Sequence, residues 1–322
     1  MSRLHVLLYG LGPIGLGIGE ILVARGYEIA GAVDIDPHKT GLPVAEFLTG
    51  APSQVVISPS AETLSAADVD LVIHSTQSHL RQVRGQLLPL LNAGWDVIST
   101  CEELAYPWYH HPDDAGLLDR LAMERGVRLL GTGVNPGFVM DLLPLVLTAP
   151  CREVTRVAVT RVADAAQRRL PLQRKVGAGL SPEDFAAGVS GGRIAHVGLP
   201  QSVAMIAAGL GWRLAEIQET IEPVIGSEGL VRGLHQVCTG RIDAEPEAIR
   251  LDLTIAVGAE DPRDEVRIEG RPPLQATIVG GVQGDQATCA IVANAIPKLL
   301  AAPPGLRVAS ELPAHAPSGR PG

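Results

Sequence analysis

Short apolar segments alternate with helix-like segments over about the first 130 residues of the chain. Apolar runs typical of strands lie at 4–9, 28–33, 55–57, 71–75, 97–100 and 127–130. Between them, segments 16–25, 79–92 and 113–125 carry apolar residues at helical spacing. This alternation predicts an α/β domain built on a doubly wound parallel sheet of the Rossmann type, with helices on both faces.

The pattern changes after about residue 150. A helix is predicted at 138–148, and strands are predicted at 154–162, 232–242, 249–257, 265–268 and 274–279. Because no helix separates the last four strands, they indicate an α+β domain with a mixed or antiparallel sheet. One face of such a sheet packs on helices, and the other is open to a partner, which favours a homodimer. A helix at 287–300 follows, and the proline- and alanine-rich tail from residue 301 is expected to fray.

These elements predict two domains. A dinucleotide-binding domain covers 1–135, and segment 285–310 is expected to pack back onto it. Residues 136–284 form the expected domain for substrate binding and dimerisation.

A Gly-x-Gly-x-x-Gly loop follows the first apolar run, and six consecutive residues form the predicted phosphate site: Gly10, Leu11, Gly12, Pro13, Ile14 and Gly15. The first glycine permits a tight turn, the second lets a pyrophosphate approach the backbone, and the third allows close packing of helix and strand. Asp34 ends the second strand and is placed to accept hydrogen bonds from an adenosine ribose. NAD is therefore the preferred cofactor; NADP stays possible because Lys39 lies nearby in sequence. The alternative is a tight-packing loop that binds nothing.

Ligands of open α/β sheets bind beyond the carboxyl ends of the strands. Ser75, Thr76 and Thr100 follow such ends and are further candidates for cofactor binding. Asn135 lies in the segment 131–137, which contains three glycines and a proline. Its amide can donate to and accept from a carboxamide, so it is a candidate for both cofactor and substrate contacts. The alternative is a turn residue between domains.

Two adjacent carboxylates, Glu102 and Glu103, follow the strand at 97–100 and are the candidate catalytic residues. A carboxylate beside the cofactor would stabilise an iminium and relay protons with ammonia or water. The alternative is a pair of acids at a helix N-terminus. Neighbours in a turn point in different directions, which favours Glu102 as the inward one. Cys101 is a candidate nucleophile, or more simply a buried small side chain.

Four residues of the second domain are candidates for substrate binding: Arg161, Asp164, Arg168 and His196. An arginine and an aspartate leaving a strand can clamp an amino acid through its carboxylate and its ammonium group. The alternative is an internal salt bridge. His196 is flanked by apolar residues, which is more typical of a core histidine.

Composition narrows the class of partner. The net charge is −9 and aromatic residues make up 3% of the chain, which argues against nucleic acid. No apolar run has the length of a membrane span, and a strand begins too early for a signal peptide, so a cytoplasmic location is expected. The four cysteines form no C-x-x-C pair, which predicts reduced thiols and no metal site.

The chain resembles 2,4-diaminopentanoate dehydrogenases and related NAD(P)-dependent amine dehydrogenases, over nearly its whole length. The residues that carry this resemblance lie at 10–15, 99–104, 131–141, 161–169, 171–173, 196–198 and 288–297. The resemblance implies a two-domain fold like that of dihydrodipicolinate reductase. It also implies oxidative deamination of 2,4-diaminopentanoate to 2-amino-4-oxopentanoate and ammonia, or the reverse reductive amination.

The family places its catalytic carboxylate at Glu102, and Asn135, Arg161 and His196 in the pocket. Asp164 is added on chemical grounds, as a partner for a second ammonium group. True dihydrodipicolinate reductases carry a His-His pair with a following Lys, whereas His110 and His111 lack that Lys. An imine reductase of that type, or a dinucleotide sensor without turnover, remains the alternative.

Overall fold

The computed structural model describes residues 4–64, 68–166, 170–243, 245–313 and 316–317. It divides the chain into two compact units. The first unit contains Met1–Gly137 and Gly284–Gly322, and the second contains Phe138–Gln283.

The elements are numbered in chain order. The strands are β1 (His5–Tyr9), β2 (Glu28–Val33), β3 (Ile57–Ser58), β4 (Leu71–His74), β5 (Asp96–Ser99), β6 (Arg128–Gly131), β7 (Glu153–Asp164), β8 (Leu214–Ile225), β9 (Val231–Ile242), β10 (Glu245–Ala256), β11 (Arg263–Arg271), β12 (Leu274–Val279) and β13 (Gly305–Arg307). The helices are α1 (Pro13–Ala24), α2 (Leu80–Asn92), α3 (Pro112–Arg125), α4 (Leu142–Leu147), α5 (Leu170–Lys175), α6 (Pro182–Ser190), α7 (Leu199–Gly209) and α8 (Gly284–Leu300).

The first unit contains a seven-stranded sheet in the order β13-β6-β5-β4-β1-β2-β3. All neighbouring strands pair in parallel. The chain moves outward from β1 to β3 and then returns to the other side of β1 at β4, which is the order of a doubly wound fold. The predicted Rossmann sheet is therefore confirmed.

Apolar side chains cover both faces of this sheet. Val6 and Leu8 of β1 join a core with α1 and α8, whereas Leu7 joins a second core with α2 and α3. Strands β4 and β5 are buried along their whole length, as expected of central parallel strands. The helices begin and end at residues with suitable backbone preferences: Pro112 opens α3, and Gly126 closes it at φ 70°.

The second unit contains a six-stranded sheet in the order β12-β11-β7-β10-β9-β8. Strands β7 and β10 pair in parallel and the other neighbours are antiparallel, which confirms the predicted mixed sheet. Helix α7 packs on β8, β9 and β10. The opposite face carries ion pairs between neighbouring strands, such as Arg156–Glu247 and Arg156–Glu269, and a contact of 2.9 Å between His235 Nε2 and Asp252 Oδ1.

Two local predictions are corrected by the structure, and several elements were not predicted. The helix predicted at 138–148 is only the six-residue α4, because Asp141 caps it by accepting a hydrogen bond from the backbone N–H of Leu142. The tail does not fray directly after residue 301, since β13 pairs with β6 at the edge of the first sheet. Strands β8 and β13 and helices α5, α6 and α7 were not predicted.

In the described part of the chain, no helix combines the length and apolar character needed to cross a membrane.

Candidate active site

The glycine loop between β1 and α1 has two glycines that the protein itself requires. Gly10 has φ +96°, and a side chain there would overlap the carbonyl of Ser75. A side chain at Gly15 would overlap the carbonyl of Gly10. Around Gly12, by contrast, no protein atom lies within 4 Å of an added Cβ. The open space therefore lies at the N-terminal end of α1, where backbone N–H groups favour an anion.

Asp34 follows β2 and is bonded to the glycine loop. Its Oδ2 accepts hydrogen bonds from the backbone N–H of Leu11 at 2.8 Å and from Lys39 Nζ at 3.3 Å. Its Oδ1 accepts from the N–H of Asp36 at 2.9 Å. Burial opposes ionisation, but these hydrogen bonds outweigh it and lower the pKa of Asp34. The residue at the expected ribose position is thus a carboxylate with an ammonium group beside it.

The residues after β4 close against the glycine loop. Ser75 has a buried hydroxyl with no hydrogen-bond partner among the described residues, and its Oγ would lie 3.3 Å from a Cβ added at Gly15. The Thr76 hydroxyl donates to Gln86 Oε1 at 2.7 Å. Thr100, after β5, donates its backbone N–H to the carbonyl of His74 at 2.9 Å. The structure therefore brings the ends of β1, β4 and β5 together.

Glu102 and Glu103 begin a short 3₁₀ turn after β5. Glu103 Oε1 lies 2.8 Å from His79 Nδ1, and its Oε2 accepts from the N–H of Leu80 at 2.7 Å and lies 3.1 Å from His111 Nε2. Burial disfavours its charge, but the bonds from His79 and Leu80 lower the pKa of Glu103. Glu103 therefore holds the start of α2, which is a helix-terminus role of the kind that the sequence left open as the alternative for this pair.

Cys101 precedes these carboxylates and is buried. Its thiol donates to the carbonyl of Ser78 at 3.1 Å. Burial, with a smaller effect from the neighbouring glutamates, raises the pKa of Cys101 to about 12. A thiol in this state is not a nucleophile at neutral pH, so the small-side-chain interpretation describes it better.

The segment after β6 is fixed by close backbone packing. A side chain at Gly131 would overlap the backbone of Leu104, in the turn that carries Glu102 and Glu103. Gly137 has φ +123° and packs on Gly133. Asn135 between them is buried. The glycines therefore hold Asn135 on one defined path, at the carboxyl end of β6.

In the second unit, Arg161 of β7 is buried and bonded within the unit. Its Nη1 lies 2.9 Å from Asp264 Oδ1, and its Nη2 donates to the carbonyl of Val282 at 2.7 Å. Asp264 Oδ2 accepts from the N–H of Val282 at 2.7 Å. Burial raises the pKa of Asp264, although Arg161 opposes that shift. This is the internal salt bridge that the sequence left open as the alternative.

Asp164 ends β7, and its Oδ1 accepts from the backbone N–H groups of Ala166 and Gly258, both at 2.8 Å. These bonds hold a turn. Arg168 lies outside the described residues.

His196 is held by a residue that the sequence did not indicate. Gln236 of β9 is fully buried, and its Oε1 accepts from the N–H of His196 at 2.8 Å while its Nε2 donates to the carbonyl of His196 at 2.9 Å. The same Nε2 donates to Glu219 Oε1. The available signal was a glutamine at an inward-facing position of β9, between the buried apolar residues Leu234 and Cys238.

Comparison with known proteins then places this chain in a family. The family model of the 2,4-diaminopentanoate dehydrogenase C-terminal domain matches residues 138–318. The 2,4-diaminopentanoate dehydrogenase of Acetoanaerobium sticklandii is 31% identical over 97% of this chain and 94% of its own length. The chain belongs to the 2,4-diaminopentanoate dehydrogenase family. The resemblance found in the sequence is confirmed.

Two further relatives of this protein are amine dehydrogenases, and one of them has a solved structure with the same fold. An amine dehydrogenase of Streptomyces virginiae is 23% identical over 98% of both chains. The structure of an amine dehydrogenase from Mycobacterium smegmatis has a TM-score of 0.88 at 24% identity, covering 99% of this chain and 98% of that chain. This family member is thus an oxidoreductase of the amine dehydrogenase class, as predicted, and its dehydrogenase relatives imply a nicotinamide dinucleotide cofactor.

Proposed function

We propose that this protein catalyses NAD(P)-dependent oxidative deamination of a small amine, and the reverse reductive amination. The first candidate substrate is 2,4-diaminopentanoate, which would lose its C4 amine to give 2-amino-4-oxopentanoate. The observation that carries the proposal is the 31% identity to a 2,4-diaminopentanoate dehydrogenase along nearly the whole chain. In the forward direction the protonated amine, the oxidised cofactor and water give the ketone, ammonium, the reduced cofactor and a proton.

The first unit fits a dinucleotide. The open space at Gly12 and the N–H groups of α1 suit the pyrophosphate, and the ionised Asp34 suits the ribose hydroxyls. When bound, the nicotinamide ring accepts a hydride from the carbon that carries the amine. We assign Ser75, Thr76, Thr100 and Asn135 to positions along the same bound dinucleotide.

Glu102 is the proposed catalytic carboxylate. Glu103, its neighbour, is bonded to His79 and to the N-terminus of α2, which gives the two residues different tasks. The proposed role of Glu102 is to stabilise positive charge on the substrate carbon and to accept a proton from the attacking water.

The proposed substrate residues of the second unit are His196, Arg161 and Asp164. Gln236 supports this proposal for His196, because it fixes the backbone on both sides of the imidazole-bearing residue. Arg161 and Asp164 make bonds within the unit, and substrate binding would compete with those bonds.

A direct assay tests the proposed activity. The protein is mixed with NAD⁺ and 2,4-diaminopentanoate, and both the reduced cofactor and the released ammonia are measured. Equal amounts of the two products are expected. Reduction of a cyclic imine by the reduced cofactor instead would favour the imine reductase, and cofactor binding without any turnover would favour the sensor.

A glycine variant tests the cofactor site independently of turnover. Gly12→Ala meets no protein atom within 4 Å, so only a bound ligand can oppose the added methyl group. Gly85→Ala on α2 is the matched control, since it also enters open space. We expect a slightly higher melting temperature for Gly85→Ala, inside α2, and a slightly lower one for Gly12→Ala, at the N-cap of α1. A roughly tenfold or greater loss of NAD⁺ affinity is expected only in Gly12→Ala, because overpacking a filled site costs about 1–3 kcal/mol. Equal affinities would contradict the proposed pyrophosphate position.

We propose that NAD is preferred and that Lys39 sets the tolerance for NADP. The Asp34 carboxylate repels a 2′-phosphate. Lys39 Nζ lies 3.3 Å from Asp34 Oδ2 and can donate a hydrogen bond to that phosphate. Lys39→Met should lower kcat/KM for NADP roughly tenfold, since a charge-assisted hydrogen bond contributes about 1.5–3 kcal/mol. The value for NAD should change much less. Parallel kinetics with the two cofactors check this.

We also propose a homodimer that uses the face of the second sheet lined by His235, Asp252 and Arg156. Oppositely charged side chains on neighbouring strands, such as Arg156 and Glu269, give this face the self-complementarity that a two-fold contact needs. Light scattering of the protein and of Arg156→Glu measures the mass. A monomer in both would refute the dimer.

A further inference from the structure

A fully buried histidine, His74, lies at the end of β4, directly before Ser75. Its Nδ1 lies 2.9 Å from the hydroxyl of Ser99, the last residue of β5. Its Nε2 lies 2.8 Å from Gln86 Oε1 on α2. The hydroxyl of Thr76 reaches the same Gln86 oxygen at 2.7 Å. One imidazole therefore joins β4, β5 and α2 at the carboxyl edge of the first sheet.

The directions of these hydrogen bonds follow from the partners. Gln86 Oε1 can only accept, so His74 Nε2 carries the proton and donates. His74 Nδ1 then accepts from the Ser99 hydroxyl, and Ser99 Oγ accepts from the backbone N–H of Cys101 at 3.1 Å. In this series of hydrogen bonds, the Ser99 hydroxyl hydrogen has an acceptor only if the imidazole is neutral and its Nδ1 is unprotonated. Burial lowers the pKa of His74 to about 4, which agrees with this assignment.

The chain of hydrogen bonds ends at the turn that carries Glu102. The N–H of Cys101 belongs to the residue directly before Glu102, and the N–H of Thr100 donates to the carbonyl of His74 at 2.9 Å. His74 thus holds this turn twice, once by its backbone and once by its side chain through Ser99.

We propose that His74 is a positioning residue that, through Ser99, fixes the backbone in front of Glu102 for the deamination step. The inference rests on the proposed function, because it takes Glu102 as the carboxylate that meets the substrate. A displacement of about 1 Å at such a group costs roughly a hundredfold in rate.

The thiol of Cys101 reports on the turn without any substrate. It is buried in the folded protein, and iodoacetamide should reach it only when the turn opens. We would follow alkylation of Cys101 by peptide mass spectrometry in the wild type, His74→Phe and Ser99→Ala, at roughly pH 8, close to the ordinary pKa of a thiol. Cys289, buried in the same unit, is the internal control for general unfolding.

Asp96→Asn is the matched control variant. Asp96 lies at the opposite end of β5, where it accepts from the N–H of Arg128, so its loss weakens the same strand away from the turn. We expect Cys101 alkylation to rise roughly tenfold in His74→Phe and in Ser99→Ala, as for the loss of one buried hydrogen bond, and to stay unchanged in Asp96→Asn.

Kinetics complete the test. In His74→Phe and Ser99→Ala, kcat should fall roughly ten- to a hundredfold, while KM for NAD⁺ stays within about twofold. Both variants break the same series of hydrogen bonds, so the double variant should lose no more kcat than the worse single variant. The effects of His74→Phe and Asp96→Asn on kcat should instead be additive.

Three outcomes would overturn the proposal. The first is that Cys101 stays protected from alkylation in His74→Phe. The second is that Cys101 and Cys289 become reactive together. The third is that Cys101 becomes reactive while kcat is retained. A wild type that turns over no amine refutes the proposed function instead, and the alkylation rates then still decide whether His74 holds the turn.

Discussion

In the first unit the candidate side chains follow the ends of parallel strands, whereas in the second unit the buried Arg161, Gln236 and Asp264 lie within long strands. Glu102 comes three residues after the end of β5, while Arg161 and Asp264 face each other across β7 and β11. A parallel sheet gathers distant segments at one edge and leaves their polar groups to a ligand. A mixed sheet of long strands pairs such groups with one another instead.

The largest expected effect tests whether the side chains after the strand ends of the first unit are the ones that act on a ligand. Glu102→Gln should lower kcat by roughly 10²–10⁴-fold, the usual contribution of a general acid or base, and should leave NAD⁺ affinity intact. Steady-state kinetics and cofactor titration measure both quantities.

Glu103→Gln is the matched control for that variant. It should lower the melting temperature, because it weakens the bonds to His79 and Leu80, and reduce kcat far less than Glu102→Gln. If Glu103→Gln loses as much turnover, the two carboxylates must exchange roles.

The second effect tests the strand-interior half. Arg161→Met leaves Asp264 buried and unpaired, which should cost about 3–5 kcal/mol of the free energy of unfolding. Asp264→Leu in the same chain removes the stranded charge and should restore much of the loss. Denaturant titration of the single and double variants decides this.

The same Arg161 variant separates structure from recognition. If its stability is unchanged and only the KM of amines that carry a carboxylate rises, Arg161 behaves like a strand-end residue and the contrast between the units fails.

A third effect is a pH dependence within the first unit. The pKa of His74 falls from its ordinary value near 6.5 to about 4 on folding, so the unfolded chain binds a proton first as the pH drops. The stability that a neutral His74 supplies is therefore present above about pH 6.5 and is lost progressively towards pH 4, by at most about 3 kcal/mol. The free energy of unfolding of the wild type and of His74→Phe would be measured by denaturant titration between pH 6.5 and pH 4. The difference between the two should shrink as the pH falls. A constant difference would contradict the buried neutral imidazole.

The smallest effect concerns Gln236. Gln236→Leu leaves the N–H and carbonyl of His196 without their partner, at a cost of about 1–3 kcal/mol. KM for the amine should rise with it if His196 lines the substrate pocket. Thr239→Val, on the same strand, is the control for a change of side chain on β9. Equal KM values in both variants would argue for a purely structural Gln236.

Much of the first sheet could be predicted because its signals are local. The glycine loop, the short apolar strands and the helix ends each lie within a few neighbouring residues. Strand β8 was missed because Glu216, Gln218 and Glu222 make it polar, and Pro223 is tolerated only because β8 is an edge strand.

The contacts of the candidate residues were harder to predict than the residues. Arg161 and Asp264 are 103 positions apart, and their pairing depends on the register between β7 and β11. His74 likewise depends on Ser99, 25 positions away. Such partners are set by tertiary register, which no local pattern encodes.

Strand β13 has a consequence for the order in which this protein is made. The second unit is one uninterrupted stretch, Phe138–Gln283, so all of its residues are synthesised before α8 and β13. The first unit begins earlier but lacks its last helix and its edge strand until Gly305–Arg307 appears. Synthesis therefore starts with the first unit, but the second unit is completed before the first.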